Sequence, residues 1–254
     1  MSQRLKMVYI AICCVASVSA AFAQSISWTP DRLTVSVGQS ERVEIPVAVS
    51  ADESVGAVDV RVVPALEGLV RVEPTSLQLV AGRVEKITVS INADATQPLG
   101  VKSGVVQLRA GKNLSRPLPI AIDIVQGGRV AAGDLDGNGV WDYIDLYVNG
   151  SFPGVVNGPT RSAARQYARA LEGALLNAAD RATAVRFALD SDRATECMFH
   201  VRPQDAARVL ADLAAVVANS QVRSRALLDW SELTSGEVYD SVPLAQRVTS
   251  CRPD

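Results

Sequence analysis

Between Ile26 and Val125 the hydrophobic positions fall in short runs that alternate with polar ones. Val43, Ile45, Val47 and Val49 recur with period two, and so do Ile87, Val89 and Ile91. Successive side chains of a strand point to opposite faces, so this period marks strands with one buried face. It predicts strands at 33–37, 42–49, 57–63, 86–91, 104–109 and 119–125, with glycines such as Gly38, Gly82 and Gly111 at the turns. Several short strands over about 100 residues, with no helical period, predict a two-sheet sandwich.

After Gly150-Ser151-Phe152-Pro153-Gly154 the period changes. Tyr167, Leu171, Leu175 and Ala178 fall on one helix face, and Val185, Leu189 and Phe199 continue on a second helix. Pro203 suits the first turn of a third, whose stripe is Val209, Leu210, Leu213, Val216 and Val217. Asn219 or Ser220 offers a cap to a fourth, faced by Leu227, Trp230 and Leu233. The expected organisation is multidomain: an all-β sandwich over 24–126, a linker over 127–150 and an all-α domain over 151–254.

The first 23 residues, MSQRLKMVYIAICCVASVSAAFA, combine a basic start, an apolar stretch and an Ala21-Phe22-Ala23 cleavage pattern. That is the layout of an export signal, so the mature chain is expected to begin at Gln24 in the periplasm or outside the cell. The residues before Cys13 and Cys14 fit a lipidation site poorly, and no later segment offers the roughly 20 apolar residues of a spanning helix. The expectation is an exported protein with no integral membrane segment after cleavage. The sequon Asn113-Leu114-Ser115 would matter only in a glycosylating host.

Of the 254 residues, 25 are Lys or Arg and 27 are Asp or Glu. This near-neutral balance gives no sign of a nucleic-acid-binding surface. Its distribution is more informative than its total. Residues 24–129 carry 11 acids and 11 bases, and residues 146–254 carry 12 of each. The excess lies between them, in Asp134, Asp136, Asp142 and Asp145. Four carboxylates within twelve residues repel one another unless a cation sits among them.

Those residues belong to DLDGNGVWDYID (134–145). Read as a twelve-residue calcium loop, it places Asp134, Asp136 and Asn138 at positions 1, 3 and 5. The Val140 carbonyl falls at 7, Asp142 at 9 and Asp145 at 12. Gly139 falls at position 6, where the sharp turn needs a positive φ. Ca²⁺ takes six to eight oxygen ligands, which alternate positions of a tight loop supply. The glycines of QGGRVAAG (126–133) exclude an entering helix, whereas 142–149 can form an exiting one.

Three resemblances follow. PTSLQLVAGRVEKITVSI (74–91) with the following PLGVKSGVVQL resembles bacterial immunoglobulin-like domains, which implies an immunoglobulin-like sandwich that binds something or acts as a spacer. Residues 134–145 resemble type I dockerin loops, thrombospondin type 3 repeats and the EF-hand, which implies calcium; Asp at position 12 matches dockerins. The loop taken with 165–171, 194–197 and 224–230 is similar to exported proteobacterial proteins that carry no assigned activity.

Cys197 and Cys251 are the two cysteines left after signal cleavage, and an oxidising compartment predicts that they pair. The alternative is a nucleophilic Cys197 with His200, the chain's single histidine, one helix turn away. Elsewhere the arginines are matched by acids and read as solvated faces. These features point to an exported, calcium-binding, non-catalytic interaction or scaffold protein whose partner is a protein or a surface glycan. A calcium-dependent docking subunit is a second reading, and it requires Trp141, Tyr143, Leu146, Tyr147 and Phe152 to be exposed. A third is an exported hydrolase using Asp190, Asp192, Glu196 and His200.

Overall fold

A computed structural model describes residues 26–252, so the expected export signal, with Cys13 and Cys14, lies outside the described residues. The first half is a β-sandwich. One sheet is ordered β1 (Ile26–Thr29), β3 (Glu41–Ala51), β7 (Val84–Ala93), β5 (Val70–Glu73). The other is ordered β2 (Leu33–Gly38), β10 (Leu118–Val125), β8 (Gly100–Ala110), β4 (Gly56–Val62), β6 (Ser76–Leu79), with the short β9 (Asn113–Leu114) beside β8. All pairings are antiparallel except β2 with β10. The two interior faces form the core expected from the period: Val43, Ile45, Val47 and Val49 of β3 and Ile87, Val89 and Ile91 of β7 are buried in one sheet, and Val106, Leu108, Ile120 and Ile122 in the other.

The six predicted strands are present, and β1, β5, β6 and β9 are additional. β1, β5 and β6 have four residues each and sit at sheet edges, and β9 has two, too few for a period to declare itself. Pro30 and Pro74 lie where the chain leaves one sheet for the other, between β1 and β2 and between β5 and β6. Proline has no N–H to continue a ladder, which suits both corners.

The second half contains α1 (Asp142–Ser151), α2 (Gly158–Leu176), α3 (Arg181–Val201), α4 (Ala206–Val217) and α5 (Gln221–Leu233), followed by a 3₁₀ segment at Leu244–Ser250. None of these helices is long and apolar enough to cross a membrane. Ser220 caps α5 by accepting the Arg223 N–H (3.3 Å). One expectation is corrected. The buried face of α3 is Ala184, Ala188, Ala194, Cys197 and Met198, whereas Leu189 is exposed. Small side chains on this face, with Phe187 set against Gly173, let α3 approach α2 closely. Pro203 lies in the turn that opens α4, where the Arg202 carbonyl accepts the Ala206 N–H (2.9 Å).

Cys197 and Cys251 form a disulfide. It ties the segment after α5 to α3 and occupies the thiol that a nucleophilic reading would use.

The sandwich and the helices share one continuous hydrophobic cluster. α1 lies on β3, and a Cβ added at Gly150 would come within 1.5 Å of the Pro46 carbonyl oxygen. Gly150→Ala must therefore push α1 off the sheet. The expected loss is about 1–3 kcal/mol, read as a lower urea midpoint at unchanged m. An unchanged midpoint would show that this close approach is unimportant.

Candidate metal centre

The loop 134–141 is coil, and α1 begins at Asp142, where the exiting helix is expected. Residues 126–133 form no helix. Backbone N–H groups shape the turn around the acids. The Gly139 N–H donates to Asp134 Oδ2 (3.0 Å), and the Asn138 N–H donates to Asp136 Oδ1 (3.2 Å). The Val140 N–H donates to Asn138 Oδ1 (2.8 Å). Gly139 has φ +79°, a left-handed conformation that glycine adopts without steric cost.

Asp134, Asp136 and Asp142 bring carboxylate oxygens within 4.8 Å of one another. At such separations each pair of like charges costs about 1 kcal/mol in water and several times that near protein. Asp142 is the most constrained. Its Oδ1 accepts the Leu135 N–H (2.9 Å), while its Oδ2 is buried with no hydrogen-bond partner. Burial raises its pKa, and the charges of Asp136, Asp134 and Asp145 add to the rise. An unpartnered buried carboxylate oxygen beside two other carboxylates is a fit for a hard cation.

Asp136, Asp142 and Asp145 line a cavity of about 280 Å³ whose opposite wall includes Arg32 and Thr34, beside and on β2. The acids therefore face the junction between the sandwich and the helices. Asp145 lies outside the 4.8 Å cluster and is bound by Arg165 of α2, Nε to Oδ1 at 2.5 Å. Asn138 stands with the cluster through Nδ2, which donates to Asp136 Oδ2 (2.9 Å), and Val140 is fully buried next to it.

Two buried charged residues at the joint escaped the sequence reading. Glu172 of α2 is buried and accepts the Trp141 N–H with both oxygens (3.1 and 3.3 Å), in effect capping α1 from outside. Burial pushes its pKa up to about 8, opposed by the Trp141 N–H and reinforced by the charge of Asp134. Arg223 of α5 is 2% exposed. It donates to Glu41 Oε2 on β3 (3.3 Å), to the Val130 carbonyl (2.9 Å) and to Asn219 Oδ1 (2.6 Å). Its guanidinium also lies over the rings of Trp141 (5.1 Å) and Tyr143 (5.6 Å). It thus joins the sandwich, the connecting segment and the helices. Both residues sit in stretches where Arg and Glu look like ordinary helix surface, so only the fold reveals them. The surface reading of arginines holds for Arg208 with Asp212 and Arg225 with Asp229, and is corrected for Arg223.

Glu172 gives a pH prediction. Its folded pKa of about 8 exceeds the usual value of 4.5, so the folded state binds more protons than the unfolded one between those values. In chelator, stability should fall as pH rises through that window, by up to about 1.4 kcal/mol per pH unit, and Glu172→Gln should flatten the slope. Urea midpoints against pH check this; equal slopes in the two proteins would contradict it.

The residues of the other readings are engaged elsewhere. Trp141 and Tyr143 are buried in the core, so the patch needed for docking is largely packed. Asp190 pairs with Arg252 (2.9 Å), Glu196 pairs with Arg247, and His200 is exposed at the end of α3. Burial and the charge of Glu196 raise the pKa of Asp192.

No protein-family model and no curated protein matches the chain. Among solved structures it is similar to PapD-like domain 7 of human CEP192, at 11% identity over 41% of this chain and 88% of that one, with a TM-score of 0.30. The Escherichia coli chaperone DraB is similar at 13% identity over 45% and 61%, with a TM-score of 0.29. A family 123 glycoside hydrolase from Clostridium perfringens is similar at 6% identity and a TM-score of 0.33. That match covers 38% of this chain and only 23% of the hydrolase.

Proposed function

We propose that this chain is an exported, calcium-binding, non-catalytic interaction or scaffold protein. In this reading its sandwich is of the immunoglobulin-like type, and Ca²⁺ orders the joint between sandwich and helices. The supporting observation is the cluster of Asp134, Asp136 and Asp142 with its orphaned Asp142 Oδ2, two of whose members, Asp136 and Asp142, line a cavity walled by the sandwich. These three would hold the ion, with Asn138 and the Val140 carbonyl adding oxygens at the spacing of a calcium loop; Asp145 would join them only on leaving Arg165. Ca²⁺ would supply two positive charges where the carboxylates repel, so its role here is structural. The sandwich face, or a surface of the bundle it fixes, would meet the protein or glycan partner.

Thermal melts in calcium and in chelator test the reading. With free calcium at 100 times the dissociation constant, the gain is about 2.7 kcal/mol, a rise of roughly 5–11 °C for a chain of this size. Asp142→Asn should abolish the difference. Identical wild-type melts in the two conditions would overturn the assignment.

A further inference from the structure

A second cavity, of about 430 Å³, opens between the two halves and shares no lining residue with the cavity at the loop. The start of β7, the end of α1, the 3₁₀ turn at Val155–Asn157, the end of α3 and α4 all contribute to it. Its volume falls in the range of about 300–1,000 Å³ typical of small-molecule sites, which favour such boundaries.

Its chemistry is two-sided. Lys86, Arg202 and Arg208 supply three positive charges, against Asp212 in the lining and Asp205 behind it, leaving one positive charge in excess. Arg202 spends Nε and Nη2 on Asp205 (2.8 and 2.6 Å), and its Nη1 meets no acceptor among the described residues. Lys86 gives one of its three N–H groups to the Ser151 carbonyl (3.0 Å). Phe152 and the half-buried Tyr147 offer apolar surface beside these cations, and the Arg202 guanidinium stands 5.9 Å from the Phe152 ring centre.

From these features we infer that the cavity is a binding site for a small organic carboxylate whose carbon body lies against Tyr147 and Phe152. A guanidinium edge and an ammonium bind a carboxylate through charge-assisted hydrogen bonds. One surplus positive charge matches a monoanion better than a phosphate ester carrying nearly two negative charges. The apolar wall favours an anion with a carbon body over a bare one. This inference is independent of the calcium reading.

The test is a nuclear magnetic resonance titration of the whole protein with benzoate, benzyl alcohol, acetate and phenyl phosphate, at constant ionic strength, with calcium and with chelator. Benzoate should give saturable shifts at the lining residues in both conditions. Benzyl alcohol, which lacks the charge, and acetate, which lacks the ring, should each bind about tenfold or more weaker. Phenyl phosphate should bind no better than benzoate. Arg202→Gln should weaken benzoate by about tenfold. Lys86→Gln removes an exposed side chain whose one bond is to the Ser151 carbonyl, so it should weaken benzoate with little change in the melt. Absence of saturable benzoate binding would overturn the proposal. So would acetate or benzyl alcohol binding as well as benzoate, phenyl phosphate binding better, or wild-type affinity in both variants.

Discussion

Arg223→Met is expected to destabilise the protein by about 3–5 kcal/mol, a fall in melting temperature of roughly 6–20 °C. The side chain is 2% exposed and its partner Glu41 7%, so the substitution strands a carboxylate in the interior. Glu41 would keep only the Gly38 N–H (3.2 Å). The Val130 carbonyl and Asn219 Oδ1 would lose their donor, and Trp141 and Tyr143 the cation over their rings. Removing both charges removes the main cause of the loss, so Arg223→Met with Glu41→Leu should recover much of it. Urea denaturation of the two single variants and the double variant measures the coupling. A loss below about 1 kcal/mol for Arg223→Met would reduce the clasp to an ordinary surface pair.

Replacing both cysteines, Cys197→Ser with Cys251→Ser, is expected to lose about 4 kcal/mol. The bond spans 54 residues, and a loop of that length removes much of the unfolded chain's freedom. The loss should also be local. After α5 the chain returns to α2 and α3 through Arg247 with Glu196, Gln166 with Ser250 (2.9 Å) and Arg252 with Asp190 (2.9 Å). Without the bond these contacts must hold the segment alone, and trypsin should cut at Arg247 well before global unfolding. Wild-type resistance at that bond, with a loss under about 1 kcal/mol, would show that the contacts suffice.

How far each feature can be read from the residues depends on whether its cause is local. Strands β3, β7 and β10 announce themselves because each alternates over eight or more residues with one face buried. β1, β5 and β6 are too short to show a period, and only their pairing defines them. In the helical half the periodicity locates the elements, but the Ala-rich face of α3 inverts the expected burial of Leu189. At the loop, spacing identifies Asp134, Asp136 and Asp142 as one cluster, because the turn that gathers them is local. Asp145 is drawn to Arg165, twenty residues on, and no loop pattern contains that contact. Arg223 and Glu41 lie 182 residues apart, and Glu172 meets Trp141 across 31, so their roles exist only once the chain is folded.

The central claim is that a cation sits among the carboxylates at the joint. Calorimetric titration of the metal-free protein with Ca²⁺ tests it most directly. The account predicts one site per chain, in the range of about 10⁻⁴–10⁻³ M usual for extracellular modules or tighter, and its loss in Asp134→Ala and Asp142→Asn. Heats that match buffer dilution, or a site that survives both substitutions, would contradict it.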